Sequence, residues 1–293
     1  MMSSSNEYNS GSSLRECPLC GHTRHRIRYQ PDRWIMVQCR RCRFVYLGNP
    51  PTLEPAYEEY YAGEEALTIP YTPDSPHDDY RELYHINTQR VDLLTKIRDT
   101  GDLLDIGCGN GFFLDRAQSI KGYNPEGIDV SSGAVEFARN RFQVNARQAS
   151  FREMIREEKR WDIITMWHVL EHFPDPVARL REIATLLNPN GICIVEVPNL
   201  HSLKFLLSRD KWEGGNHPRY YRSFFTARTL KRCFRQAGFR RIRRHPLSYR
   251  LPERSTLYEW SKQILNWLRL DAFILMSSSR PDLERDGLNN SDS

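Results

Sequence analysis

Leu103-Leu104-Asp105-Ile106-Gly107-Cys108-Gly109-Asn110-Gly111-Phe112 is the stretch whose reading decides the fold. A short apolar run carries an acidic residue, three glycines follow at alternate positions, and a helix-like segment, Phe112 to Ser119, begins at once. The run predicts a buried parallel strand and the glycines a tight strand-to-helix turn. Glycine accepts positive φ, and without a Cβ it lets a ligand lie close to the backbone. The G-x-G-x-G spacing is not the dinucleotide G-x-G-x-x-G, and no Lys-Ser/Thr follows as in a phosphate-binding loop. Asp105, ahead of the glycines, repels an anion and favours hydroxyls or an ammonium. Taken alone, the stretch also fits an ordinary turn in any α/β protein.

Three further blocks lie downstream. Gly127-Ile128-Asp129-Val130-Ser131 ends the second strand, with Asp129 twenty positions after Gly109. A carboxylate there can accept two hydrogen bonds from a ribose diol. The competing reading of Asp129, a helix N-cap, suits Ser131 better. Trp161-Asp162-Ile163-Ile164-Thr165-Met166-Trp167-His168-Val169-Leu170-Glu171-His172 holds the fourth strand, expected from Asp162 to His168. Leu187-Asn188-Pro189-Asn190-Gly191-Ile192 is a turn into the fifth, Ile192 to Val197.

With these four blocks in register, the chain resembles the class I S-adenosylmethionine-dependent methyltransferases over roughly residues 80–280. The resemblance implies an α/β fold, a doubly wound seven-stranded Rossmann-like sheet whose last strand is antiparallel. It implies that the acidic strand and the glycine loop (Asp105, Gly107, Cys108, Gly109, Gly111) hold the methionine part and ribose of the donor. Asp129 would bind the ribose diol, with Val130 and Trp167 beside the donor. Many members carry an acidic residue near position 150 for the adenine amino group. This chain has Ser150, so adenine is expected at Ser150 or at the backbone of Phe151. The Trp-His-Val-Leu-Glu-His order resembles a large bacterial group of small-molecule methyltransferases.

His168 and His172 are the titratable residues expected nearest the transferred methyl. Histidine near its free pKa suits a general base at neutral pH. His168 has a second reading, in which it stacks on the donor or orients substrate without taking a proton. A third reading places His168, Glu171 and His172 at i, i+3 and i+4 of a helical turn as ligands of a divalent ion. Some ubiquinone-type O-methyltransferases are metal-assisted through this region, but they carry acidic residues where this chain has His168.

Upstream, Cys17, Cys20, Cys39 and Cys42 form C-x2-C-x18-C-x2-C, the spacing of a four-cysteine zinc site. Two thiolates from each knuckle reach one tetrahedral ion, and Gly21 supplies the knuckle's positive φ. Four sulfurs leave no open position, so the zinc is expected to be structural. Ile27-Arg28-Tyr29 and Trp34-Ile35-Met36-Val37 have strand character, and the unit resembles a zinc ribbon. It is too small for its own core and would draw on the order of 10 kcal/mol from the metal. Arg24, Arg26, Arg28, Arg33, Arg40, Arg41 and Arg43 make it basic. That charge suits either phosphates of RNA or a carrier-bound substrate, or a solvated face.

The 293 residues carry a net charge of +5, which permits nucleic acid without requiring it. No apolar run reaches ~18 residues, so no membrane span is expected. The seven cysteines and the lack of a secretory signal point to reduced thiols and a cytoplasmic protein. The expected organisation is a disordered tail at 1–14, the ribbon at 15–50, a Pro- and Tyr-rich linker or cover at 51–80, the methyltransferase domain at 81–280 and a disordered tail at 281–293. Lys211 to Tyr221, with His217 as a further base candidate, is expected as a pocket wall or lid. Thr256 to Leu268 is expected as an amphipathic helix that caps the pocket or forms a homodimer contact. The function expected is methyl transfer from S-adenosylmethionine to an O, N or C nucleophile of a small metabolite. The rivals are an RNA methyltransferase, although an Asn/Asp-Pro-Pro-aromatic motif is missing after the fourth strand, and a non-catalytic donor-binding or scaffold protein.

Overall fold

The computed structural model describes residues 14–30, 33–50, 79–203, 221–246 and 273–280. His217, the helix from Thr256, the tail at 281–293, and nearly all of the expected cover segment, first tail and lid lie outside them.

Three short strands come first: β1 (His25–Tyr29), β2 (Met36–Cys39) and β3 (Val45–Leu47). Helix α1 (Asp79–Ile97) then leads into β4 (Gly101–Ile106), followed by α2 (Phe112–Gln118), β5 (Tyr123–Asp129) and α3 (Ser132–Phe142). The alternation continues through β6 (Ala146–Gln148), α4 (Phe151–Arg156), β7 (Trp161–Trp167), a 3-10 turn (Leu170–His172) and α5 (Pro176–Leu186). Strand β8 (Leu187–Pro198), β9 (Ser223–Phe224), α6 (Ala227–Gln236), β10 (Arg240–His245) and β11 (Phe273–Ser279) complete the described elements.

Helices α3 to α6 begin where side-chain caps satisfy their first amides. Ser131 Oγ accepts from Ala134 N–H, and Asp175 accepts from Val177 and Ala178 with Pro176 in the first turn. Thr226 and Thr229 form a reciprocal cap for α6, and Ser150 and Glu153 one for α4. The central strands β4, β7 and β11 are largely apolar and buried on both faces, as a sheet covered by helices requires.

Seven strands form one sheet in the order β10-β11-β8-β7-β4-β5-β6. Strands β8, β7, β4, β5 and β6 are parallel, and β11 runs antiparallel to both β8 and β10. The chain winds outward from β4 through β5 to β6, then returns to β7 on the other side of β4. The switch point therefore lies between the carboxyl ends of β4 and β7, where open α/β sheets bind ligands. The expected turn at Asn188–Gly191 is absorbed into β8. Trp161 faces Leu187 while Ile163 already faces Ile192, so the extra residues bulge out around Asn190 at φ 61°. Among the described residues, no helix is long and apolar enough to cross a membrane.

The ribbon is bound into this domain rather than tethered to it. Its antiparallel sheet has the order β1-β2-β3-β9, so its fourth strand comes from the far side of the chain. Strand β3 was not read in the sequence, because Val45-Tyr46-Leu47 is buried throughout and shows no alternation. Phe44 packs against Phe225 with the rings tilted, 5.5 Å between centroids. Leu19, Val37, Phe44 and Tyr46 lie in one continuous core with Met166, Leu170, Phe225 and Phe234.

Candidate functional site

The glycine loop is tied down by the neighbouring strand, since Gly107 and Cys108 N–H both donate to Ile128 O, at 2.8 and 3.0 Å. Two glycines are required here for different reasons. At Gly107 (φ 74°) a Cβ would meet Val169 Cγ2 at 2.5 Å, so the loop and the β7 end close on each other. At Gly109 (φ 51°) a Cβ would meet nothing within 4 Å, so its backbone faces open space.

That space is a cleft of about 270 Å³. Gly107, Gly109, Asp129 and Val130 form one wall, Trp167, His168, Val169, His172 and Phe173 the other, with Phe151 at the side. Gly109 N–H donates to Asp129 Oδ2 at 2.8 Å and Ser131 N–H to Oδ1 at 2.9 Å. Partial burial raises the Asp129 pKa, and these amides oppose the rise. The amides also fix the carboxylate at the end of β5. Asp105 is fully buried and takes a 2.6 Å bond from Thr165 Oγ1, while its Oδ2 has no partner. Burial pushes its pKa to about 7 against that bond. Trp167 Nε1 is likewise buried without a partner. Unsatisfied buried polar atoms beside an open glycine backbone suit a polar ligand that supplies the missing contacts.

Three residues expected at the donor have other contacts. Cys108 packs with Leu114, Val135 and Ala138 in a small buried cluster. Gly111 is a packing glycine: a Cβ there would meet Ala138 Cβ at 2.6 Å. Ser150 accepts from Glu153 N–H and donates to its carboxylate, so its side chain is occupied as a cap.

The opposite wall is built on a charged network. His168 has φ 60°, and its N–H donates to Glu196 O at 3.0 Å. Its ring places Nε2 2.9 Å from Glu196 Oε1 and Nδ1 3.5 Å from Glu171 Oε1. Glu196 also receives Arg90 Nη2 at 2.6 Å, and the Arg90 guanidinium lies over Trp167 at 4.6 Å. Burial alone would lower the His168 pKa, but the two carboxylates outweigh it and raise it to about 9. Burial likewise opposes ionisation of Glu196, yet Arg90 and His168 pull it down to about 2. Both ring nitrogens of His168 thus face carboxylates, an arrangement that favours the protonated ring. Arg90 and Glu196 were not read as site residues. The available signals were a polar interruption on the apolar face of α1 and a carboxylate inside the apolar run of β8.

His172 ends the 3-10 turn and stacks on Tyr221 at 5.2 Å. The alternative reading of His168, Glu171 and His172 as ligands of one ion gains no support from their placement. Among the described residues, the group of histidine, cysteine and acidic side chains close enough to share an ion is the four cysteines.

Cys17 and Cys42 sulfurs are 3.4 Å apart, Cys20 and Cys39 sulfurs 3.6 Å, and all four lie within 4.8 Å of one another. A tetrahedral zinc with bonds of about 2.3 Å needs sulfurs about 3.8 Å apart, so the set fits the ion. Of the ribbon's arginines, Arg26, Arg40 and Arg43 surround a shallow open basin beside Cys39.

Comparison with known proteins agrees with this architecture. A family model described as a methyltransferase domain matches residues 79–243. The ubiquinone biosynthesis O-methyltransferase of Nitrosospira multiformis is 29% identical over 178 residues, covering 56% of this chain and 73% of that protein. Its counterpart from Aeromonas salmonicida is 31% identical over 140 residues, which is 44% of this chain but only 58% of the relative's length. A SAM-dependent methyltransferase from Archaeoglobus fulgidus superposes with a TM-score of 0.51 at 20% identity, over 69% of this chain and 96% of that one. A plantazolicin methyltransferase in complex with SAH gives 0.51 at 15% identity, over 77% and 94%. At these identities the solved structures speak to the fold alone.

Proposed function

From a chain that belongs to the methyltransferase domain family, we propose an enzyme that moves a methyl group from S-adenosylmethionine to an O, N or C nucleophile of a small metabolite. One observation carries the reading. The open backbone of Gly109 and the carboxylate of Asp129, held by amides, face a cleft whose far wall carries His172. Gly107, Gly109 and Asp129 would hold the donor, with Asp105 supporting the loop from the core. Bound S-adenosylmethionine supplies a methyl already activated on a sulfonium. The protein's own part is to align the nucleophile with it and to exclude water.

Of the two histidines expected to act as base, His172 takes the role in this reading. A base must be able to accept a proton at neutral pH, and His168 is already charged there. His168 instead fixes the wall, its charge balanced by Glu196 and Glu171. The four cysteines would hold a structural zinc, and the ribbon's arginines leave RNA as the rival acceptor.

The test uses methyl-labelled S-adenosylmethionine, purified protein, and extract of the native host divided into small-molecule, RNA and protein fractions. Label in the small-molecule fraction is the expected result. Label in RNA would overturn the metabolite reading in favour of the basic ribbon. A protein that neither binds the donor nor transfers label would be a scaffold that keeps the fold.

A further inference from the structure

The stretch of the far wall that carries His172 has fastenings from outside the seven-stranded sheet. Residues 171–174 run directly past the end of β7, and four contacts fasten them. Arg222 N–H donates to Glu171 O at 2.9 Å. Ser223 Oγ donates to Phe173 O at 3.0 Å. Arg15 Nη1 donates to Pro174 O at 3.0 Å. Tyr221 stacks on the His172 ring itself.

Arg15 belongs to the ribbon, Ser223 to the strand added to its sheet, and Tyr221 and Arg222 lead directly into that strand. Tyr46 in β3 pairs with Ser223 in β9, and Leu47 N–H donates to Arg222 O at 3.0 Å. Arg15 joins the two sides directly. Its Nε donates to Leu47 O at 2.8 Å while the same guanidinium reaches Pro174, over the face of Tyr46 at 5.3 Å. Tyr46 O–H returns a bond to Arg15 O at 3.3 Å. Arg15 lies two residues before Cys17, and β3 begins three residues after Cys42, so both braces start at the cysteine cluster.

The donor wall is fastened differently. Gly107 and Cys108 are tied to Ile128, and Gly109 to Asp129, all within the large sheet. The 171–174 stretch of the far wall therefore has supports that the donor wall does not share, while His168 on the same wall is tied to Glu196 of β8.

We propose that Arg15 and Ser223 are positioning residues through which the ribbon sets the acceptor wall, acting on His172 and leaving the donor wall untouched. The assignment of that wall to the acceptor rests on the methyltransferase reading above. The ribbon is then part of the active site's construction and not an appended binding module.

The experiment uses the full chain loaded with zinc, labelled with nitrogen-15 in histidine and glycine, as the parent and as Ser223→Ala and Arg15→Met. Ser223→Ala removes one hydroxyl and keeps the fold within reach if Arg15→Met does not fold. S-adenosylmethionine affinity by calorimetry should stay within about twofold of the parent, as for sites with no shared partner. The His172 ring signal should move while the Gly107 and Gly109 amide signals stay. Transfer of label to the small-molecule fraction should fall by about tenfold, the cost of a displaced reacting group. A His172 signal unmoved in the folded variants overturns the proposal. So does a shift of the glycine amides and donor affinity along with it, which would mark general loosening. Failure of the parent to bind S-adenosylmethionine would sink the methyltransferase reading instead, and the histidine signals would still decide whether the ribbon sets this wall.

Discussion

At Asp129, two backbone amides already use one lone pair on each oxygen, and the carboxylate still borders the cleft. Removing it should cost the donor its ribose contact and free the Gly109 amide. Asp129→Ala should weaken S-adenosylmethionine binding by roughly 1.5–3 kcal/mol, the usual worth of a hydrogen bond to a charged group; unchanged affinity by calorimetry would remove Asp129 from the donor site. His168 makes a second prediction, about pH. Its pKa of about 9 in the folded protein lies above the ordinary value of 6.5, so the native state binds the extra proton between those limits. The stability it contributes is fully present below the ordinary value and is lost as pH rises through about 9. The melting temperature of the parent should fall over that window more steeply than that of His168→Gln, and parallel curves would show the imidazolium network to be absent. Asp129 was legible in the sequence because an acid at a strand end is a local pattern. The charge of His168 was not, because it depends on Glu196, which meets it only when β8 pairs with β7.

Elements were legible to the degree that their signals are local. The cap at Ser131 is legible because a short polar side chain beside an apolar run states its role within a few residues. The antiparallel last strand, β11, came from the resemblance. Strand β3 was missed because its partner β9 lies over 170 residues away and neither strand alternates. Its burden is nevertheless high. Phe44, between the cysteine knuckle and β3, is fully buried and packs on Phe225 and Tyr46. Phe44→Ala should destabilise the protein by about 3–5 kcal/mol through lost burial and the cavity left behind. Denaturant unfolding measures this, and a loss under about 1 kcal/mol would show that the ribbon does not share the domain's core.

For the whole molecule, a ribbon too small for its own core and drawing its stability from zinc would melt alone on chelation if it stood beside an independent sheet. The joined architecture implies a different outcome. Strand β9 belongs to the ribbon's sheet, yet it is flanked by the domain's own residues 222 and 225, and the core runs through both parts. Elements that share strands and core unfold together. Zinc binding to the four cysteines would stabilise the folded state as a whole, because the unfolded chain offers no preformed site. Calorimetric scans with and without a chelator should each show one transition, with the metal-free one at lower temperature. The Trp167 side of the cleft should lose its structure in the same step as the ribbon. An early small transition followed by an unchanged main one would restore the picture of two units, and with it the view that the ribbon could be removed without disturbing the cleft.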